Sequence, residues 1–564
     1  MTISLLAAVA ATAFLPHSFG APLAARNNNG TMIYDFSELT ASAELDWKPC
    51  HDNFMCTLLA VPLDYNDPSI GTVNLAIIKK PGPTKDAQEV LVNPGGPGGS
   101  SVDMILLDYA ATQEKIGNQY TLVGIDPRGV KNSGPSSDCF PPEHYPLAAR
   151  NSFMQTVITP YDITSDYTLQ HSHQTVLAYG RWCTSIYAVN NTAKYASTVA
   201  TAQDMLHYIE LSAKASGQAP EAAQLWYYGI SYGSILGAAF ASLHPSRIGR
   251  MIIDAVLDLP DHYNGGWENA ILDTDAAAQS FFKLCFAAGP ELCLFHQNAT
   301  SWEDLETRYW SLLDGLKKTP VGLGDPLLNV TAGTDTVVTP AILTWQDVTS
   351  AMFSAVYFID PALINAMDIG LTALQTRNTD VLTFATTKTQ ISTVSPGYDS
   401  RMALALVMCL DADGRANYTD FADFKTFVTE MAGRSRYGGL NGASFSGPLC
   451  SQFDVRSPES QRFDGIPRVN GTSTPILFIS GTADPITPLV SAEKMQGLFP
   501  GSGLLVWEGA GHTAHVRKSA CVSRHEKQYM LNGRLPPANT TCEVEQPNPW
   551  IAYKEMVDEM ARSE

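Results

Sequence analysis

The sequence predicts an α/β fold in which a mostly parallel sheet is flanked by helices and interrupted by a large helical cap insertion. Apolar strand-like runs alternate with helical patterns over the first half of the chain, as in a parallel sheet covered on both faces. Helical patterns dominate the middle of the chain, and strand-like runs return near its C-terminal end. With 564 residues, the chain is long enough for two or three domain-sized units.

The first part of the chain carries most of the predicted sheet. Residues 72–80 alternate apolar and polar side chains, as a half-exposed strand does, whereas the later runs are continuously apolar. Strands are predicted over 56–65, 72–80, 89–93, 120–126, 224–230 and 250–256. Helical spacing at 201–215 and 234–243 supplies two covering helices.

The remainder of the chain separates the cap from the rest of the core. Helical patterns at 277–288 and 345–352 lie in the cap, strands are predicted at 475–480 and 504–508, and a covering helix at 514–531. The expected division is a signal peptide at 1–20, a first core part at 21–259, a cap at 260–470 and a second core part at 471–564.

Composition excludes several classes of function. The formal net charge of -20 repels phosphate backbones, so nucleic-acid binding is not expected. Hydrophobic residues make up 45% of the chain, which excludes disorder as its main state. After the N-terminal segment no uncharged apolar stretch is long enough to span a bilayer, so no membrane association is expected.

Three features favour export. An apolar run at 5–15 followed by small residues up to Gly20 is typical of a secretory signal peptide cleaved after about Gly20. Seven Asn-x-Ser/Thr sites follow, and these predicted glycosylation sites are Asn29, Asn190, Asn298, Asn329, Asn417, Asn470 and Asn539. Ten cysteines, an even number, indicate disulfides. We therefore expect a secreted, extracellular glycoprotein.

Nearest-neighbour pairing of the cysteines is expected because it closes short loops within local units. The expected pairs are Cys50–Cys56, Cys139–Cys183, Cys285–Cys293, Cys409–Cys450 and Cys521–Cys542. No CxxC motif occurs, which disfavours a zinc ribbon or a thioredoxin-type site.

A G-x-S-x-G motif at 229–233 places Ser231 between an apolar strand and a helix of small residues. A serine at such a sharp turn is exposed to substrate, and glycines on either side allow strand and helix to approach closely. This context predicts Ser231 as a nucleophile rather than part of an ordinary Gly/Ser turn.

A serine nucleophile needs a base, and the base needs an orienting carboxylate. Asp484 follows the strand at 475–480, and His512 follows the strand at 504–508, both at carboxyl ends where active-site loops gather. We predict Asp484 as the acid and His512 as the base. Asp254 and Asp258 are alternative acids, and His515 is expected on the first helical turn, facing elsewhere.

The tetrahedral intermediate needs backbone N–H donors. One is expected from Tyr232, the residue after the nucleophile, and the other from the Gly/Pro-rich loop at 93–99, with Gly96 preferred and Gly95 second. That loop has neither G-x-G-x-x-G nor a Gly-Lys-Ser/Thr ending, so a nucleotide-binding role is not expected.

These motifs together resemble the α/β-hydrolase peptidase family that holds prolyl iminopeptidases and bacterial tripeptidyl aminopeptidases, most closely its secreted tripeptidyl-aminopeptidase-like branch. Matching segments are 56–58, 61–65, 93–100, 126–129, 229–233, Cys409 with Asp411, 474–488, 499–502 and 511–512. The resemblance implies an α/β-hydrolase fold and a serine exopeptidase with Ser231, Asp484 and His512 as its triad. The chain departs from the family at Lys131 and Asn132, where Gly-x-Ser often follows.

The leading hypothesis is a serine aminopeptidase acting through an acyl-enzyme. An aminopeptidase must bind a substrate ammonium with a carboxylate, for which Asp258, Glu268 and Asp411 are candidates. The alternatives are a secreted carboxylesterase or lactone hydrolase with the same triad, and a non-catalytic extracellular binding module. The expected partner is a peptide or small ester substrate, and no cofactor or metal is expected because the triad supplies the chemistry.

Overall fold

In the computed structural model, the described residues are 32–141, 145–324, 340–383, 398–545 and 548–563. The signal peptide predicted at 1–20 and two predicted glycosylation sites, Asn29 and Asn329, lie outside the described residues.

One ten-stranded sheet forms the centre of the molecule, in the order β1-β2-β3-β5-β4-β6-β7-β10-β11-β12. Its strands are β1 Lys48–Cys50, β2 Phe54–Pro62, β3 Thr72–Lys80, β4 Glu89–Asn93, β5 Thr121–Ile125, β6 Leu225–Ile230, β7 Ile248–Asp254, β10 Leu477–Ala483, β11 Gly503–Ala510 and β12 Thr540–Glu543. The pairs from β1 to β5 through β3 are antiparallel. All later pairs are parallel. The carboxyl ends of β4, β6, β7, β10 and β11 therefore share one edge.

The central strands are continuous apolar runs in the sequence because they are buried on both faces of the sheet. Every residue of β5 is buried, as are all but one in each of β6 and β7, because helices cover both faces of the sheet. The covering helices are Ser101–Ile116, Thr198–Ala215, Tyr232–Leu243, Leu489–Leu498 and Ala520–Asn532. The α/β-hydrolase fold predicted from the sequence is thus confirmed.

The last covering helix was predicted too early, at 514–531, and it begins at Ala520. Residues 513–515 form a loop before it: Thr513 has a positive φ of 66°, and the amides of Ala514 and His515 donate to the Asp254 carboxylate. The helix starts only where Ser519 caps it by accepting a hydrogen bond from the Val522 amide.

The cap is mainly helical. Its helices are Leu259–Asn264, Thr274–Ala288, Trp302–Lys318, Trp345–Phe358, Pro361–Thr376, Ser400–Ala412, Phe421–Arg434 and Gly439–Ser444. A short antiparallel pair, β8 Val321–Leu323 and β9 Ala341–Leu343, lies among them.

Two further parts of the chain pack against the cap, although the sequence division places them in the core. The helices Leu147–Val157 and Asp166–Tyr187 come from the first part, and His173 Nε2 of the second lies 2.8 Å from the Tyr418 carbonyl oxygen. The C-terminal helix Pro549–Ser563 is joined to the cap by a hydrogen bond from Trp550 Nε1 to Asp368. The cap region of the structure thus contacts helices from two other stretches of the sequence, one before it and one at the C-terminal end.

The cysteines are joined in the expected nearest-neighbour pairs: Cys50–Cys56, Cys139–Cys183, Cys285–Cys293, Cys409–Cys450 and Cys521–Cys542.

The five predicted glycosylation sites within the described residues all have exposed side chains: Asn190, Asn298, Asn417, Asn470 and Asn539. Among the helices of the described part of the chain, none has both the length and the apolar character needed to span a bilayer.

Candidate active site

Ser231 lies at the bend between β6 and the helix Tyr232–Leu243, with φ 58° and ψ -122°. A non-glycine residue at positive φ is strained, and here the close packing of strand, helix and neighbouring loop holds it in place. A Cβ on Gly229 would lie 2.5 Å from the Gly233 carbonyl oxygen, and one on Gly233 would lie 2.8 Å from that of Asn93. Only glycine fits at these two positions, as the motif predicted.

His512 and Asp484 form a pair on the loops after β11 and β10. Asp254 links the His512 loop to the bend, because its carbonyl oxygen accepts a hydrogen bond from the Ser231 amide at 3.0 Å and its carboxylate accepts from the amides of Ala514 and His515. His512 Nδ1 lies 2.9 Å from Asp484 Oδ2 and 3.1 Å from Oδ1, and both side chains are buried. A carboxylate at Nδ1 assigns the ring proton to that nitrogen, which leaves Nε2 as the basic atom. Nε2 is buried and makes no hydrogen bond to any described residue, so it is available to accept a proton.

The Asp484 carboxylate is stabilised in its charged form. Oδ1 accepts hydrogen bonds from the amides of Ile486 and Thr487, at 3.0 and 2.9 Å. Burial by itself would raise the pKa of Asp484, but His512 and these donors outweigh it and lower that pKa below its ordinary value. The Thr487 hydroxyl also lies 3.2 Å from His512 Nδ1. Asp484 is thus ionised and holds the imidazole in position.

Asp254, an alternative acid in the sequence, has another role in the structure. Its carboxylate accepts hydrogen bonds from the Thr513 hydroxyl and from the amides of Ala514 and His515. It therefore anchors the loop that carries His512 and does not contact the imidazole as an acid would. Asp258, the other alternative, pairs with Lys494 at 2.7 Å and caps the helix Leu259–Asn264.

His515 faces away from the nucleophile, as predicted, with Nε2 2.7 Å from Asp108 Oδ2. The prediction that it lies on a first helical turn is wrong, because the following helix begins at Ala520.

The glycine-rich loop after β4 packs directly on the nucleophile. A Cβ on Gly95 would lie 2.8 Å from both Ser231 Cβ and the Tyr232 amide nitrogen. The Gly95 amide already donates to Asn93 Oδ1 at 3.0 Å. In the described part of the chain, the amides of Gly96 and Tyr232 donate no hydrogen bond to a backbone carbonyl in a turn, loop or cap. This arrangement favours Gly96 and Tyr232 over Gly95 as oxyanion donors.

The three acids considered for a substrate amine all have protein partners. Glu268 pairs with Arg434 at 2.5 Å, and Asp258 with Lys494. Asp411 is buried and accepts hydrogen bonds from the Thr198 amide and hydroxyl and from His262 Nε2. Binding a substrate ammonium at any of them would require displacing or sharing an existing partner.

A cavity of about 310 Å³ lies between the cap helices. Its lining is mostly apolar and includes Met154, Tyr179, Phe353, Arg401, Leu404 and Phe445. Two cap segments connect it with the candidate site. Phe353 lies one helical turn before Tyr357, whose ring packs against that of His512. The Tyr398 hydroxyl, just before the helix that carries Leu404, donates to the Gly98 carbonyl of the glycine-rich loop at 2.7 Å. The cavity is therefore the candidate substrate pocket.

Two residues that the sequence analysis missed contact His512, the predicted base. Thr487 lies within the Asp-Pro-Ile-Thr-Pro segment that was noted only for its resemblance. Tyr357 comes from the cap, and its ring centroid is 4.5 Å from that of His512. No motif surrounds Tyr357, and only the packing of the cap on the core shows its position.

The fold and this geometry define an enzyme of the serine hydrolase class with an α/β-hydrolase fold. The family model described as alpha/beta hydrolase fold matches residues 89–292, and the one described as TAP-like protein matches residues 441–542.

Three relatives resemble the chain over most of its length. They are serine protease Hip1 of Mycobacterium tuberculosis (strain ATCC 25618 / H37Rv), 25% identical over 88% of this chain and 91% of the relative; carboxylesterase B of the same strain, 25% identical over 86% of each; and tripeptidyl aminopeptidase of Streptomyces lividans, 24% identical over 89% of this chain and 87% of the relative. The resemblance to the tripeptidyl-aminopeptidase-like branch is confirmed, and the protein is a serine hydrolase similar to these relatives.

Proposed function

We propose that the protein is a secreted serine aminopeptidase that releases short peptides or single residues from free N-termini. The observation that carries this proposal is the buried His512–Asp484 pair with an unpartnered Nε2, on a loop that Asp254 joins to the strained Ser231. Ser231 is assigned as nucleophile, His512 as base and Asp484 as orienting acid.

In the first half of the reaction, the Ser231 hydroxyl proton moves to His512 Nε2 while Oγ bonds to the scissile carbonyl carbon. The amides of Gly96 and Tyr232 stabilise the negative charge on the carbonyl oxygen. His512 then gives the proton to the leaving nitrogen, the C–N bond breaks, and an ester on Ser231 remains. Asp484 stays ionised and stabilises the imidazolium in between.

In the second half, water replaces the leaving group. His512 takes a proton from water, the resulting hydroxide bonds to the acyl carbon, and the ester bond to Ser231 Oγ breaks with return of the proton to Oγ. The acid product leaves and the enzyme is restored. Both halves of the reaction use the amides of Gly96 and Tyr232, so a change in either amide affects acylation and deacylation alike.

Peptide substrates are favoured by two of the relatives, which are named as a serine protease and a tripeptidyl aminopeptidase. Secretion is favoured by five disulfides and by glycosylation sequons with exposed asparagines. Glycosylation is tested by treating the exported protein with an endoglycosidase, which should lower its mass.

The activity is tested with amino-acyl and tripeptidyl anilides and with their N-acetylated forms. An aminopeptidase must hydrolyse the free-amine substrates, and acetylation should lower kcat/KM by about tenfold or more, because the lost ion pair is worth at least ~1.4 kcal/mol. Equal rates with and without the acetyl group would contradict the proposal.

A carboxylesterase or lactone hydrolase is the second candidate, because the candidate substrate pocket is mainly apolar. The charged group on its wall, Arg401, is already neutralised by Asp399 at 2.5 Å. One relative is named carboxylesterase B. Indifference to acetylation together with rapid turnover of neutral esters would favour this candidate.

A further inference from the structure

Tyr357 lies where the cap meets the catalytic histidine. It is the penultimate residue of the helix Trp345–Phe358, and its carbonyl oxygen accepts a hydrogen bond from the His512 amide at 2.8 Å. Its ring lies beside the imidazole, with centroids 4.5 Å apart and planes at 45°. Two contacts thus fix this cap residue against His512.

The Tyr357 hydroxyl is at the nucleophile. It lies close enough to the Ser231 side chain for the two to interact, and this interaction acts to lower the Tyr357 pKa. Burial raises the pKa of Tyr357 well above its ordinary range, and the negative charge of Asp484 raises it further, while the Ser231 contact opposes them. The phenol therefore stays protonated in the pH range where His512 can act as a base, so it can donate or accept a hydrogen bond but does not act as a base itself.

The position of Tyr357 beside His512 identifies which substrate atom it meets. In the proposed mechanism the carbonyl oxygen points to the amides of Gly96 and Tyr232. The leaving atom must instead lie next to His512 Nε2, which gives it a proton. A hydroxyl that contacts Ser231 on a ring packed against His512 is therefore on the side of the leaving group.

We propose that Tyr357 is a catalytic residue for amide substrates, its phenol oxygen accepting a hydrogen bond from the N–H of the leaving nitrogen. This inference rests on the proposed acyl-enzyme mechanism. The proton still moves from Ser231 Oγ to His512 Nε2 and on to the leaving nitrogen, and the electron pair of the C–N bond goes to that nitrogen. Tyr357 exchanges no proton.

Such a contact separates amides from esters. The nitrogen of a scissile amide must turn its lone pair toward His512 before it can be protonated, and this turns its N–H away from the imidazole. An acceptor at that place stabilises the turned arrangement. The leaving oxygen of an ester carries no hydrogen, so the phenol has nothing to accept and the ester gains nothing from it.

The test compares a p-nitroanilide and a p-nitrophenyl ester that carry the same acyl group. For both, kcat/KM reports the steps up to acylation. In Tyr357→Phe, kcat/KM for the anilide should fall by about tenfold or more, the effect of one hydrogen bond of ~1.4 kcal/mol, while that for the ester changes by less than about twofold. Tyr357→Leu should show the same selective loss.

The matched control is Tyr437→Phe, which removes a hydroxyl that donates to Glu306 at 2.8 Å elsewhere in the cap. Its ratio of anilide to ester rates should equal that of the wild type. Retained ester hydrolysis shows that each variant is folded.

Equal losses on both substrates in the Tyr357 variants would make Tyr357 an oxyanion donor or a structural residue and would overturn the inference. Equal gains on both substrates would show that the Tyr357 side chain only blocks the site, and this would overturn the inference too. Unchanged rates on both substrates would also overturn it. This test can be read separately from the aminopeptidase proposal. If the enzyme accepts only N-acetylated acyl groups, the proposed function fails. The ratio of anilide to ester rates can then still be measured with N-acetylated acyl groups.

Discussion

The core and the cap contribute to the candidate active site in different ways. Ser231, Asp484 and His512 all follow strands of one sheet, and short loops hold them with backbone hydrogen bonds. The cap supplies no member of this triad, yet it places Tyr357 against His512 and lines the candidate substrate pocket. In the proposed mechanism, the core supplies the groups that break the bond, and the cap supplies the groups that select the substrate.

A second difference concerns how each region is held. The loop that carries His512 lies over buried charged groups, among them Asp254, Glu526 and Lys115, whose ammonium donates to the carbonyl oxygens of Ala514 and Arg517. The cap packs mainly through apolar and aromatic side chains such as Phe281, Phe282 and Tyr309. Polar support gives a defined orientation, whereas apolar packing tolerates exchange of side chains of similar volume. Substitutions in the core should therefore disturb the orientation of side chains, whereas substitutions of similar volume in the cap should be tolerated.

The largest effect is expected from removing the nucleophile or the base. Ser231→Ala and His512→Ala should each lower kcat by about 10⁶-fold, and the double variant should be no worse, because the two residues act as a unit. Hydrolysis of an activated ester by purified variants measures this. Additive losses would show that the two side chains act separately and would break the assignment of the chemistry to the core.

A smaller loss is expected when the acid is neutralised. Asp484→Asn keeps the shape of the side chain but favours the wrong imidazole tautomer, so kcat should fall by about 10⁴-fold with little change in KM. The matched control is Asp258→Asn, which alters one of the two alternative acids and should retain most of the activity. The assignment would be contradicted if Asp258→Asn were the more damaging variant.

The buried support of the core should make stability depend on pH. Burial raises the pKa of Glu526 from 4.5 to about 7, Asp254 adds to the rise, and Lys115, the Tyr228 hydroxyl and His515 oppose it. Between these values the unfolded chain releases a proton that the folded protein retains, so the free energy of unfolding falls as pH rises and then levels off above about 7.

Glu526→Gln removes this titration. Relative to the wild type, the variant should gain up to about 3 kcal/mol in free energy of unfolding between pH 4.5 and pH 8. Urea unfolding of both proteins at the two pH values measures the gain. A difference between the two proteins that is the same at both pH values would show that Glu526 is not the group responsible.

The smallest effect is expected in the cap. Leu404→Trp places extra volume in the candidate substrate pocket and should lower kcat/KM for bulky apolar acyl groups by about tenfold while sparing acetyl esters. Leu404→Ala should relax the same preference. A uniform loss on all acyl groups would mean that the cavity does not hold the acyl part of the substrate and that core and cap are less separate than we describe.

The sequence predicted the core well because its constraints are local. Continuous apolar runs locate β4 to β7, and the glycines at 229 and 233 show where a strand must turn sharply into a helix. The positions of Asp484 and His512 follow from strands that end just before them. Short β1 and β12, of 3 and 4 residues, were missed because so few residues show no periodicity.

The cap could not be predicted in the same way. An amphipathic helix such as Asp166–Tyr187 shows that one face is buried but not what covers it, so its contact with Tyr418 of the cap could not be predicted. The start of the last covering helix was misplaced because no local pattern shows the positive φ of Thr513 or the hydrogen bonds that hold residues 514 and 515 on Asp254, about half the chain away. Tyr357 stands in an ordinary helical pattern, and only tertiary packing brings it to Ser231.

The most direct test of the central assignment is the mass of the protein trapped during turnover. After reaction with a fluorophosphonate or a slowly released acyl ester, intact mass spectrometry should show one added group, and peptide mapping should place it on Ser231. Ser231→Ala should remain unmodified. Modification at another residue, or none in the folded wild-type protein, would contradict the assignment and would favour the non-catalytic binding module.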